Sequence, residues 1–126
     1  MGYRTDRQRV EGLGSAKDGT TDWWQMRISA VALLVLVPLF VFPLARGLGA
    51  DYDAVRAIYQ NPFNAIVAIL FFITILAHLR HGLQEVIMDY VPGKAMLTFA
   101  LLTNTMLTTL IGVIGVFSVA KIAFGG

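Results

Sequence analysis

The chain has 126 residues and no cysteine. Disulfides and thiolate metal sites are therefore excluded. Charge is scarce too. Asp, Glu, Lys and Arg make up 14% of the residues and apolar types 56%, a balance too greasy for an ordinary soluble domain. The polar first 22 residues lack the apolar core of a secretory signal peptide, so no cleaved leader is expected. There is no internal repeat. A net charge of +2 is unremarkable, and nucleic acid is not expected as a partner.

What the chain does have is long apolar runs. They cover Ile28 to Ala45, Phe63 to Ala77 and Met96 to Ala120, the last without a charge. A bilayer core of about 30 Å needs roughly 20 helical residues. The first and third runs fit; the second reaches that length by continuing into the polar stretch after it. The expectation is an all-α membrane protein with three transmembrane helices, near residues 26–45, 62–90 and 95–121, preceded by a polar tail over residues 1–22 that would be disordered alone. The anchor domain would cover residues 23–126. Arg4, Arg7, Arg9, Lys17 and Arg27 all precede the first span. Under the positive-inside rule the N-terminus stays in the cytoplasm, and three spans put the C-terminus outside.

Local signals refine this outline. Trp23 and Trp24 sit where an interfacial aromatic belt belongs. Asp22 is a cap candidate for the first helix, and Pro38 and Pro43 are expected to bend or end it. In "DYDAVRAIY", Tyr52, Val55, Ile58 and Tyr59 share one helical face behind Asp51. This reads as a short amphipathic helix on the membrane surface. Asn61-Pro62 then opens the second span. In the third, Thr98, Thr105, Thr108, Thr109, Gly112 and Gly115 cluster on one broad side, a packing face for other helices.

The chemistry lies in "HLRHGLQEVIMDYV", His78 to Val91. With His78 at zero and about 100° per residue, Gly82 falls near 40°, Glu85 near 340° and Asp89 near 20°. Arg80 and Gln84 point to nearly the opposite side, and His81 lies about 60° off the stripe. A lone three-helix bundle cannot easily shelter both sides, so partner subunits or a cofactor are expected. His78 lies about 16 Å along the axis from Asp89, deep in hydrocarbon, where polar residues are functional by default. It suits either a hydrogen bond to another helix or haem ligation, and Gly82 one turn on leaves room for a flat macrocycle. Arg27 reads first as a snorkelling arginine, alternatively as a partner for haem carboxylates. Tyr90 reads first as a belt tyrosine beside solvated Asp89, alternatively as a donor to a quinone carbonyl.

Together these residues resemble a family. "HLRHGLQEVIMDYV" is similar to the H-x-x-x-G-x-x-x-[VI]-x-x-D-Y signature of the D-type hydrophobic membrane anchor of succinate dehydrogenase, respiratory complex II. "GLGSAKDGTTDWWQMRISAVAL" resembles the segment leading into that family's first helix, with an arginine, then a small hydroxylated residue and alanine. The resemblance covers nearly the whole chain. It implies half of a heterodimeric haem-binding helix bundle, in a bacterial cytoplasmic or mitochondrial inner membrane. Its partners would be a C-type cytochrome b anchor, an iron–sulfur subunit and a flavoprotein carrying FAD that oxidises succinate, a step of the tricarboxylic acid cycle. A b-type haem would be shared with the C-type anchor, and ubiquinone would be the substrate reduced. His78 would be the axial ligand to the haem iron. Arg27 would lie near the propionates, and Gly82 would make room for the ring. Tyr90 would hydrogen-bond the quinone, with Asp89 beside it as a proton source. His81 is a second histidine beside the expected ligand, either serving the propionates or facing a partner. Two other readings remain: a haem-free structural anchor of a related succinate or fumarate oxidoreductase, and a small proton- or cation-coupled transporter relaying through Glu85, His78 and Asp89. The near absence of ionisable residues in the cores of the first and third spans argues against transport.

Overall fold

The computed structural model describes residues 5–11 and 19–125. The expectation of a tail disordered on its own falls, for residues 1–4 and 12–18, outside the described residues. Within the tail, Asp6–Glu11 forms a short helix, α1, and Gly19 already begins α2, which runs to Gly47. Then come α3 (Tyr52–Gln60), α4 (Pro62–Tyr90) and α5 (Lys94–Phe124). No strand occurs among the described residues. The protein is an all-α membrane protein, with α2, α4 and α5 each long and apolar enough to span a bilayer.

The starts and stops follow local chemistry, with one correction. Asp22 does not cap α2; it lies inside the first turn, where its charge complements the helix dipole. Of the two outcomes expected at Pro38 and Pro43, a bend or an end, the end does not occur; both lie within α2. Each proline frees one carbonyl, but in lipid every other backbone group still needs an internal partner, and continuing the helix supplies it. The Asp51 carboxylate accepts from the Ala54 N–H at 3.2 Å and caps α3. Asn61 caps α4 by accepting from the Phe63 N–H at 3.0 Å, with Pro62 in the first turn. Gly93, at φ 81°, makes the turn from α4 to α5, a conformation costly for residues with a Cβ.

Helix α4 is the middle of the molecule. It packs on α2 at one side and on α5 at the other, and the α2 and α5 backbones stay more than 8 Å apart, Cα to Cα. The α5 contact is close because its facing residues are small. A Cβ at Gly112 would lie 3.3 Å from Leu76, and one at Gly115 3.0 Å from the Phe72 ring. The broad small-residue side expected of this helix narrows to a stripe through Asn104, Thr108, Gly112, Gly115 and Val119; Thr98, Thr105 and Thr109 are exposed.

Helix α3 does more than lie on a surface. It is seated across one end of the bundle, touching α2, α4 and α5. Tyr59 is buried and Val55 and Ile58 are half-buried, while Tyr52 stays exposed. Tyr59, Ala65, Ala68 and Val119 form the core there, with Phe40, Phe72 and Ile122 against them. Phe40 stacks on Phe71 with centroids 4.2 Å apart. The Arg56 guanidinium donates to the Gly125 carbonyl and ties α3 to the end of α5.

Candidate functional site

The opposite end of α4 is where the polar residues gather. Facing it, α2 presents Met26, Ser29 and buried Leu33, spaced three and four residues apart, so that they fall on one face. Ser29 meets His78: Oγ lies 2.9 Å from Nδ1. The same oxygen lies 3.0 Å from the Met26 carbonyl. A carbonyl only accepts, and a hydroxyl carries one proton. The Ser29 proton therefore goes to Met26, and Nδ1–H of His78 donates to Ser29 Oγ. This is the one assignment that satisfies both contacts. It leaves the His78 Nε2 lone pair available to a metal, with Nδ1 tied back as metal-bound imidazoles usually are. One turn on, the tip of Met26 lies 3.9 Å from where a Cβ at Gly82 would be. Gly82 thus faces α2, bordered by one flexible side-chain end.

His81 is held differently. Its Nδ1 lies 2.8 Å from the Ala77 carbonyl, one turn back in its own helix. That carbonyl requires Nδ1–H, so the neutral tautomer that fits the contact has its lone pair on Nε2. The two histidines differ in what fixes them: His78 joins two helices, and His81 rests on one. Among the described residues no group of three His, Cys, Asp or Glu side chains converges. Among those residues the histidines stand as single imidazoles.

Arg27 is not brought to His78. It lies two residues before Ser29, about 200° around α2, and is exposed. Its guanidinium carbon sits 4.8 Å from the centroid of the Trp23 ring, a cation–π contact. Trp23 meets Trp24 edge-on at 5.1 Å. Glu85, Asp89 and Tyr90 are likewise exposed, Tyr90 with 81% of its surface open. The sequence-derived site residues are thus distributed over one end of the bundle, and of them, among the described residues, His78 alone is hydrogen-bonded to another helix.

Two residues escaped sequence reasoning. Ser29 did, although its hydroxyl stood out two positions after Arg27. Asn104 did as well. It is 7% exposed, and its Nδ2 donates to the Arg80 carbonyl at 2.9 Å, while Oδ1 has no partner. Its signal was chemical, since it is the sole carboxamide in the charge-free run from Met96 to Ala120. Arg80 also lines a groove of about 600 Å³ between α4 and α5, with Leu76, Thr108, Gly112 and Phe117. The polar residues of α4 therefore do look to two sides: His78 and Gly82 toward α2, Arg80 toward α5.

Residues 1–120 match the model of the succinate dehydrogenase/fumarate reductase transmembrane subunit family. The chain is 41% identical over 105 residues to a succinate dehydrogenase hydrophobic membrane anchor subunit of Paracoccus denitrificans, covering 81% of each. It is 31% identical over 122 residues to the subunit of that name in Rickettsia bellii (strain RML369-C), covering 95% of this chain and 88% of the relative. A succinate dehydrogenase membrane anchor subunit of Reclinomonas americana is 30% identical over 81 residues, 62% of this chain and 68% of the relative. No solved structure matches.

Proposed function

Because the chain belongs to the succinate dehydrogenase/fumarate reductase transmembrane subunit family, we propose that it anchors succinate:ubiquinone oxidoreductase to the membrane, shares a b-type haem with a C-type anchor and forms part of the ubiquinone-reduction site. A flavoprotein and an iron–sulfur subunit would dock at the Tyr90 end, on the cytoplasmic side, leaving the α3 end outside. The observation that carries the haem reading is the proton assignment at His78. Its Nδ1 is committed to Ser29 Oγ, and its Nε2 is free to bind iron. The residues present therefore fit the group. The haem would supply one-electron storage beside the quinone.

The rest of the site follows from exposure. Tyr90 stands open at the end of α4, where its hydroxyl would donate to a quinone carbonyl. Asp89 beside it would help deliver the protons that quinone reduction needs. Arg27 stacks on Trp23 and would have to leave that ring to meet haem propionates. His81 flanks the ligand without replacing it, and Gly82 keeps the wall beside the ring low.

Two measurements test this. The complex, purified with its flavoprotein and iron–sulfur partners, should give a b-type band in the reduced-minus-oxidised spectrum. His78→Ala should remove the band and His81→Ala should keep it; the reverse would move the ligand to His81, and no band in any form would leave a haem-free anchor. Asp89→Asn should slow succinate-driven quinone reduction and flatten its pH profile. Unchanged turnover and profile would end the proton role.

A further inference from the structure

The hydroxyl of Ser29 belongs to no role assigned so far, yet among the described residues it makes the one side-chain hydrogen bond to His78. We propose that Ser29 is a positioning residue for the haem ligand: it fixes the His78 tautomer and ring orientation and sets the electron-donating strength of Nε2. The proposal rests on the reading of His78 as ligand.

Two features of the geometry carry it. First, the Ser29 hydroxyl is itself oriented. Its proton is held by the Met26 carbonyl at 3.0 Å, so toward His78 it can only accept. A hydroxyl free to rotate would stabilise either tautomer; this one selects Nδ1–H. Second, the bond runs between helices, from α2 to α4. His78 is then not free to swing about its own Cα–Cβ bond as α4 alone would let it. His81, tied to the Ala77 carbonyl within α4, has no such cross-helix hold.

The chemical consequence has a definite sign. An imidazole that donates from Nδ1 carries more electron density at Nε2 and is the stronger base. A stronger donor favours ferric over ferrous iron and lowers the reduction potential, second-shell hydrogen bonding being one of the protein's levers on it. Removing the acceptor should therefore raise the potential while leaving the ligand in place.

The test uses the intact four-subunit complex and redox titration of the haem band, with the ferric-state electron paramagnetic resonance spectrum as a second readout. In Ser29→Ala the haem should be retained. Its ferric-to-ferrous ratio at fixed ambient potential should fall about fivefold, roughly 40 mV at 59 mV per decade for one electron. Ser29→Cys, nearly the same size but a far weaker acceptor, should shift in the same direction, and it decides the matter if Ser29→Ala does not assemble. Ser29→Thr should restore the original potential and spectrum, because a helical threonine hydroxyl can also bond back to a carbonyl three or four residues earlier. If the Ala and Cys forms titrate like the original while His78→Ala loses the band, Ser29 has no such role and the ligand reading stands. A shift in Ser29→Thr as large as in Ser29→Ala would mean that packing and not the hydroxyl matters, and would equally overturn it. Retention of an unaltered band in His78→Ala would remove the ligand reading itself, and this proposal with it.

Discussion

At its Pro62 end α4 is wrapped by its own chain; at its Tyr90 end it is left open. The first end has α3 across it, the Tyr59–Ala65–Ala68–Val119 core beneath and the Arg56–Gly125 tie at the rim. Ala68 there is 0% exposed. The second end is tied across helices, among the described residues, by His78 to Ser29 and by Asn104 to the Arg80 carbonyl, and toward its rim Trp23, Arg27, Glu85, Asp89 and Tyr90 all stand exposed. The difference teaches where this molecule is complete. The closed end is packed by the chain's own residues. The open end displays charge and hydrogen-bonding groups that a bilayer will not cover, which suits a site finished by other subunits.

That contrast can be broken from either side. Tyr90→Phe should give the largest effect. Losing a donor to the developing charge on a quinone oxygen should slow succinate-driven quinone reduction by about 100-fold. Succinate oxidation by a water-soluble dye and the melting temperature of the complex should hold. A turnover within twofold of the original would remove Tyr90 from the site. Ala68→Leu should do the converse. Added methylenes at a filled position cost about 1–3 kcal/mol, seen as a lower melting temperature of the complex, with the haem spectrum and its potential unmoved. If the potential moved with it, the two ends would be mechanically coupled.

The smallest effect belongs to Tyr59→Phe. The Tyr59 hydroxyl is buried without a partner, and burial raises its pKa above the ordinary 10.0. The folded chain keeps that proton where the unfolded chain loses it. Stability from this source is whole below pH about 10 and is lost as pH rises beyond it. The Phe variant should match or exceed the original by about 1 kcal/mol at neutral pH and should lack this part of the alkaline decline. Parallel melting curves at pH 8 and pH 10.5 would check it; an equal decline in both would show the hydroxyl to be solvated.

The closed end was also the more legible in the sequence. Asp51, Asn61 and the Tyr52–Tyr59 face are aqueous-style signals, and the helix they announce is there. Three apolar runs announced three spans. Hydrophobicity says little, however, about which side of a span meets which neighbour. In lipid both sides are apolar whether they face a helix or an acyl chain. Hence the pairing of Ser29 with His78 was not readable, nor that of Asn104 with Arg80. Arg27 was expected near the haem carboxylates, and its turn toward Trp23 was not readable either, since cation–π stacking leaves no mark on periodicity. The placement of α3 was half legible: its apolar face could be counted, but whether membrane or bundle would receive it depended on Val119 and Ile122, sixty residues further along in α5.

The tie between Arg56 and the Gly125 carbonyl has a consequence for how the molecule is made. Helix α3 is synthesised after α2 but before α4 and α5, so only the α2 part of its seat exists at that point. The seat is completed when α5 is in place. A chain halted after α4 would lack Val119 and Ile122 in the core beside Tyr59 and the Gly125 carbonyl that Arg56 donates to, leaving its amphipathic helix held by α2 and α4 alone.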